Sequence, residues 1–67
     1  MSGEDARPIL EQHGFVLIRQ RGSHMVMQRA ISGSTITAIV PNHAELRMGT
    51  LRSVIRQSQL SKGLFET

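Results

Sequence analysis

Three consecutive segments of the chain are rich in β-branched and apolar residues, which predicts three β-strands. They cover residues 15–21, 24–29 and 35–40, and the third alternates apolar and polar positions. Short polar segments with glycine, residues 22–23 and 32–34, separate them and predict tight turns. Pro41 is expected to end the third strand, because proline cannot donate to a strand ladder. The pattern therefore predicts an antiparallel meander.

A helix is predicted before these strands, from about residue 5 to residue 13. Pro8 is tolerated only in the first turn of a helix, which favours Asp5 as the N-cap. A start at Ser2, which would put Asp5 in a capping-box position, is the alternative. Gly14 is expected to end the helix in a left-handed conformation.

A second helix is predicted after the strands, beginning near Gly49 and Thr50, either of which can cap it. Its buried stripe follows the helical spacing of three and four residues and consists of Leu51, Val54, Ile55 and Ser58. Residues 61–67 are expected to form a last turn that frays.

The order of these elements predicts a single two-layer α+β domain over residues 1–67, with both helices on one face of a three-stranded antiparallel sheet. The α-β-β-β-α order is also that of double-stranded-RNA-binding domains, which read A-form helices by shape and phosphate contacts. Met25 and Met27 share one side of the second strand. We interpret them as core residues, the alternative being an exposed patch that a partner covers.

Composition excludes several classes of protein and site. The chain has no cysteine, so disulfides and cysteine-ligated zinc are excluded. It has no apolar run of the roughly 18 residues that a membrane span needs, and its polar, acidic N-terminus argues against a signal peptide. The three histidines are far apart in sequence, so we expect no metal and no other cofactor. A cytoplasmic protein is the resulting prediction.

The distribution of charge is more informative than the net charge of +3. No carboxylate occurs between Glu11 and Glu45, whereas Arg19, Arg21 and Arg29 lie in that segment. A segment of this kind presents a positive field to polyanions and is typical of nucleic-acid binding. A basic face that is merely solvated is the alternative.

Four blocks of sequence closely resemble the HicA (YcfA-like) toxin family: HGF at 13–15, RQRGSH at 19–24, VPNH at 40–43 and GTLRSVIRQ at 49–57. Their order and spacing match the family over residues 2–60. The resemblance implies a double-stranded-RNA-binding-like fold, an mRNA interferase activity that cleaves mRNA independently of the ribosome, and a HicB-type antitoxin as partner. The family's GSH histidine falls on His24. Pro8 and the turn at 32–34, which lacks the common basic residue, depart from the family pattern.

His24 is the residue that we expect to carry the chemistry. RNA can be cut without metal when its own 2′-hydroxyl attacks the adjacent phosphorus, which requires a base and an acid. Histidine suits either role, because its ordinary pKa of about 6.5 lies near working pH. Gly22 and Ser23 lack bulk and would let the RNA approach. Without the family resemblance, His24 would more simply be an ordinary residue at the start of a strand.

The remaining predicted RNA-binding groups fall in two places. Around the strands, the arginine forks of Arg19, Arg21 and Arg29 match phosphate oxygens, and Ser23 can help to hold a phosphate. At the start of the second helix, Arg47 and Arg52 accompany the free N–H groups expected at Thr50, Leu51 and Arg52.

The other two histidines have different expected roles. His43 is a candidate second proton carrier, although a turn residue is the favoured interpretation. His13, just before a helix-ending glycine, is interpreted as structural. Two functions outside catalysis also remain open: a non-catalytic RNA-binding module of the same fold, and a protein whose basic surface binds an acidic partner.

Overall fold

A computed structural model describes residues 1–66 and shows the predicted order of elements. The elements are α1 (Gly3–Gln12), β1 (Val16–Arg21), β2 (His24–Ile31), β3 (Ser34–Pro41), α2 (Met48–Ser58) and a 3₁₀ turn (Lys62–Phe65). The sheet is antiparallel with strand order β1-β2-β3. The α+β class and the α-β-β-β-α order are therefore confirmed. Within residues 1–66, no helix is long and apolar enough to cross a membrane.

Both hairpins close on two-residue turns. Arg21 lies opposite His24 in the first, and Ile31 lies opposite Ser34 in the second. The glycine in each turn has a positive φ, 59° at Gly22 and 72° at Gly33, which only glycine adopts at little cost. Because Ser34 pairs rather than turns, β2 and β3 are each longer than the apolar pattern predicts.

The predicted N-cap of α1, Asp5, is wrong, because the actual N-cap lies three residues earlier. Ser2 is the N-cap: its hydroxyl accepts from the Asp5 N–H, and the Asp5 carboxylate accepts from the Ser2 N–H, both at 3.0 Å. This capping box gives the Ser2 N–H a partner and adds a second acceptor for the Asp5 N–H, which also donates to the Ser2 carbonyl at 3.2 Å. Pro8 therefore sits inside the helix, where the capping box helps to offset the backbone hydrogen bond that proline cannot donate.

The end of α1 is the predicted one. Gly14 has a φ of 92°, and its N–H donates to the Glu11 carbonyl while the Phe15 N–H donates to the Leu10 carbonyl. These are the two hydrogen bonds of a Schellman motif. Leu10 and Phe15 are both fully buried, so the motif directs the chain from α1 into the core and on to β1.

Helix α2 begins at Met48, with Arg47 as an N-cap whose side chain makes no capping hydrogen bond. The prediction that Gly49 or Thr50 caps the helix is therefore wrong. The apolar stripe begins only at Leu51, and Met48 is 68% exposed, so the hydrophobic pattern contains no signal for the first turn. The stripe itself is confirmed: Val54 and Ser58 are buried, and Leu51 and Ile55 pack against the core.

The core lies between the two helices and one face of the sheet. It contains Ala6 and Leu10 of α1, Val54 of α2, and side chains from β2 and β3. Met25 and Met27 are fully buried within it, so they are core residues and not an exposed patch. The C-terminal turn, for which the sequence predicts fraying, contributes the buried ring of Phe65. Thr67 lies outside the described residues.

Candidate nucleic-acid interface

The β1–β2 hairpin places His24 at the edge of the sheet, directly after its tight turn. His24 is the first residue of β2 and its Cα partner across the ladder is Arg21. Residues that are directly opposite each other in an antiparallel ladder have side chains on the same face. Both residues are exposed, as are Gly22 and Ser23 between them. The structure thus brings four of the predicted site residues together at one end of the hairpin.

Arg19 joins this group because of a β-bulge in β1. Leu17 pairs with Met27, but Arg19 pairs with Val26, so Ile18 is an extra residue in β1. Leu17 packs against the core, and simple alternation would place Arg19 on the same face. The inserted residue reverses the direction of the side chains that follow it. Arg19 and Arg21 therefore lie with His24 on the face of the sheet opposite Met25, Met27 and the helices, which we call the helix-free face. We call Arg19, Arg21 and His24, together with Gly22 and Ser23, the hairpin cluster.

The loop after β3 lies against the hairpin cluster. Pro41, the last residue of β3, is the Cα partner of His24 on the side away from Arg21. The next N–H, that of Asn42, donates to the carbonyl oxygen of Ser23. The carbonyl oxygen of His43 accepts from the Gly3 N–H at 2.9 Å. The loop is therefore held between the turn that precedes His24 and the first residue of α1.

The second predicted group lies at the start of α2. Arg47 and Arg52 are exposed there and Thr50 is half-buried. The Leu51 N–H donates to the Arg47 carbonyl at 2.9 Å, so it is not free as the sequence predicts. Because the helix begins at Met48, its unpaired first-turn donors are the N–H groups of residues 48–50. An anion would therefore meet a different set of N–H groups from the one expected.

Arg29 is separated from the hairpin cluster. It lies five residues along β2 from His24, and the odd numbering puts it on the face that contains Met25 and Met27. Its side chain covers Gly14 at the end of α1, where its atoms lie 3.5–3.6 Å from the position that a Cβ would take. The structure therefore groups Arg29 with the helices and not with His24.

The carboxylates that lie near this end of the molecule are engaged. The Glu45 carboxylate pairs with the Met1 ammonium at 2.8 Å, and this hydrogen bond raises the pKa of the ammonium. The Asp5 carboxylate accepts the backbone N–H of Ser2, and this interaction with Ser2 lowers the Asp5 pKa. Neither carboxylate is paired with an arginine of the hairpin cluster.

The three histidines differ in their surroundings. The Nδ1 atom of His13 lies 2.9 Å from the carbonyl oxygen of Ile9, which supports a structural role. His24 and His43 are exposed, and within residues 1–66 neither ring has a hydrogen-bond partner. Among residues 1–66, no group of three or more histidine, aspartate or glutamate side chains is placed so that it could hold a metal ion.

The two aromatic residues are placed where they cannot stack on bases. Phe15 and Phe65 are both buried in the core, at 1% and 4% exposure. The surface around His24 therefore offers arginine side chains, small turn residues and backbone, but no aromatic platform.

Comparison with known proteins identifies one family. A sequence profile described as the HicA toxin of bacterial toxin–antitoxin systems matches residues 3–60 of this 67-residue chain. No curated protein matches the chain. The profile covers α1, the whole sheet and α2, and so includes both predicted groups of site residues. This chain therefore belongs to the HicA toxin family of bacterial toxin–antitoxin systems.

Proposed function

We propose that this chain is an endoribonuclease that cleaves mRNA without metal and independently of the ribosome, with His24 as the general acid or base. One observation carries the proposal: His24 is exposed at the end of the β1–β2 hairpin, with Arg21 opposite it and Arg19 on the same face. A titratable imidazole beside two guanidinium groups is a suitable arrangement for phosphodiester cleavage.

The reaction begins with attack of the RNA 2′-hydroxyl on the adjacent phosphorus. The 2′-oxygen loses its proton to a base, a bond to phosphorus forms, and the bond from phosphorus to the 5′-oxygen breaks. An acid protonates the departing 5′-oxygen, which leaves a cyclic phosphate on one fragment. His24 supplies one of these proton transfers, and Arg19 and Arg21 stabilise the charge that develops on the phosphoryl oxygens.

RNA binding rests on phosphate contacts. The hairpin cluster binds the phosphate that is cleaved, and Gly22 and Ser23 allow the backbone to approach closely. Arg47, Thr50 and Arg52 at the start of α2 bind a second phosphate of the same strand. Because both aromatic rings are buried, base stacking contributes little. Affinity should therefore depend strongly on salt and weakly on sequence.

The antitoxin partner is proposed to be of the HicB type and to act in the cytoplasm, where mRNA is available. A protein that binds the hairpin cluster would need acidic groups to pair with Arg19 and Arg21 and to exclude RNA. This chain by itself would then be the active species, and the complex the silent one.

The test is ribosome-free cleavage of a purified mRNA in the presence of EDTA. Wild-type protein should cut the RNA, and His24→Ala should lose cleavage by about 10²–10⁴-fold while its RNA affinity is retained. His13→Ala is the matched control, since it removes a histidine that bonds to α1, and it should still cut.

The same three proteins can be compared in cells, by measuring growth and RNA integrity after each is induced. Undiminished cleavage by His24→Ala would contradict the role of His24, and inhibition by EDTA would contradict a metal-free reaction. Salt-dependent binding of RNA by a wild-type protein that never cuts it would identify a non-catalytic RNA-binding module.

A further inference from the structure

We propose that His43 is the second proton carrier of the site and that it forms an acid–base pair with His24, an inference that rests on the proposed ribonuclease function. Cleavage by the 2′-hydroxyl needs one group to accept a proton and another to donate one. A single imidazole cannot do both in the same step. The structure offers one other histidine with a free ring, and it lies in the loop that packs beside His24.

The backbone sets how far apart the two histidines lie. Pro41 is the Cα partner of His24, and partners in an antiparallel ladder are about 5 Å apart. Two further residues extend the chain by at most about 7 Å. The Cα atoms of His24 and His43 are therefore separated by at most about 12 Å. Two histidine side chains at such a separation can approach one phosphodiester from its two sides.

Two backbone hydrogen bonds, one made by Asn42 and one by His43 itself, hold this part of the loop in place. The Asn42 N–H donates to the Ser23 carbonyl, and the His43 carbonyl accepts from the Gly3 N–H. Both bonds use only backbone atoms of residues 42 and 43. The structural role of residue 43 is therefore performed by its main chain, and the imidazole is left free for chemistry. His13 shows the opposite case, because its ring lies within hydrogen-bonding distance of the Ile9 carbonyl.

Other groups near His24 are less suitable as proton carriers. The guanidinium groups of Arg19 and Arg21 remain protonated at any working pH, so they stabilise charge but do not transfer protons. The Ser23 hydroxyl is a weak proton carrier at its ordinary pKa and would itself need a base to activate it. The carboxylates of Asp5 and Glu45 are paired with the Ser2 N–H and the Met1 ammonium. An imidazole remains as the group whose ordinary pKa fits the task.

The experiment measures the pH dependence of cleavage of one RNA oligonucleotide by wild type, His24→Ala and His43→Ala. Wild type should give a bell-shaped profile, because the base must be neutral and the acid protonated. Each variant should be slower by about 10²–10⁴-fold and should lose one limb of the bell, a different limb in each case. His13→Ala, the control, should keep both limbs.

A second substrate separates chemistry from structure. An oligonucleotide with sulfur in place of the 5′-bridging oxygen has a leaving group that needs no protonation. Whichever variant lacks the acid should recover most of its rate on this substrate, and the other should not. Thermal unfolding of His43→Ala and His43→Gln should match wild type, since the Gly3 and Asn42 hydrogen bonds use the backbone.

Three results would overturn the pair. A His43→Ala variant with the rate and both limbs of wild type would make His43 a turn residue only, while the ribonuclease function would stand. A His43→Ala variant could also be folded but slow, keep both limbs of the pH profile and gain no rate on the sulfur substrate. That result would likewise show that His43 is not a proton carrier. Wild-type protein that cuts neither substrate would instead remove the ribonuclease function, and the pair with it.

Discussion

The Asn42 N–H donates a hydrogen bond to the Ser23 carbonyl, which fixes the loop after β3 against the turn that precedes His24. The same loop is held from its other side by α1. Gly3 donates its N–H to the His43 carbonyl, and its Cα lies so close to Pro41 that an added Cβ would overlap the Pro41 carbonyl oxygen. The site therefore depends on a glycine at the start of α1.

Gly3→Ala should destabilise the protein by about 1–3 kcal/mol, because the overlapping atom belongs to the backbone and cannot rotate away. In a domain of this size, about 1 kcal/mol corresponds to about 4–8 °C in Tm. The matched control is Gly49→Ala. Gly49 also lies in the first turn of a helix, but a Cβ there would meet nothing within 4 Å.

Gly49→Ala should leave stability unchanged or raise it by up to about 1 kcal/mol, since alanine is the better helix former. Thermal unfolding followed by circular dichroism measures both variants. Equal stability of the two alanine variants would contradict the close approach at Gly3.

Much of this fold can be predicted from local sequence signals, whereas the site depends on features that such signals do not contain. Glycines mark both hairpin turns, and the apolar spacing marks the buried stripe of α2. The bulge at Ile18 has no comparable signal in the sequence. Ile18 is apolar, as an ordinary strand residue would be, and its exposure is seen only in the structure. Without the bulge, alternation from Leu17 would assign Arg19 and Arg21 to the face of the sheet that the helices cover.

The same limit applies to contacts between segments that are distant in sequence. The bond between Asn42 and Ser23 joins residues that are separated by two strands, so no local pattern reports it. Local sequence patterns alone therefore favour a turn residue at His43 over a proton carrier. Arg29 illustrates the converse, since its charge suggested RNA binding but its position in β2 directs it towards α1.

RNA binding should respond differently to the loss of individual arginines. Arg21→Gln should reduce the slope of log affinity against log salt by about 0.7–0.9, the value expected for one phosphate contact. Arg29→Gln, which removes the same charge from the opposite face of the sheet, should leave that slope unchanged. Titrations of a labelled RNA at several salt concentrations, made in the His24→Ala background to prevent cleavage, measure the slopes. Identical slopes for the two variants would argue against RNA on the helix-free face.

The outer edge of β3 should be sensitive to Gln57. The Gln57 side-chain oxygen accepts the Ile39 N–H at 2.9 Å, which occupies a donor that would otherwise be open to another strand. Gln57→Ala should therefore speed hydrogen exchange at the Ile39 amide and lower stability by about 1 kcal/mol. Gln57→Glu keeps an acceptor oxygen and should keep the protection. Exchange followed by NMR checks this, and an unchanged Ile39 amide in Gln57→Ala would show that the bond does not form in solution.

The capping box at the start of α1 should contribute to stability in a pH-dependent way. Its hydrogen bonds with Ser2 lower the pKa of Asp5 below the ordinary value of 3.8. A carboxyl group whose pKa is lower in the folded state stabilises the protein above its unfolded-state pKa, and that contribution is lost as pH falls through the folded-state pKa. Wild type should therefore exceed Asp5→Asn in stability at neutral pH, and the difference should disappear below pH 3.8.

Glu4→Gln removes an equal charge from the same turn but leaves the box intact, so it should retain the low-pH loss that Asp5→Asn lacks. Urea unfolding of the three proteins between neutral pH and the acid range gives the comparison. A constant difference between wild type and Asp5→Asn across that range would show that the Asp5 charge contributes nothing to the cap. The fixed position of Gly3, and with it the loop beside His24, would then have to depend on the Pro41 and His43 contacts alone.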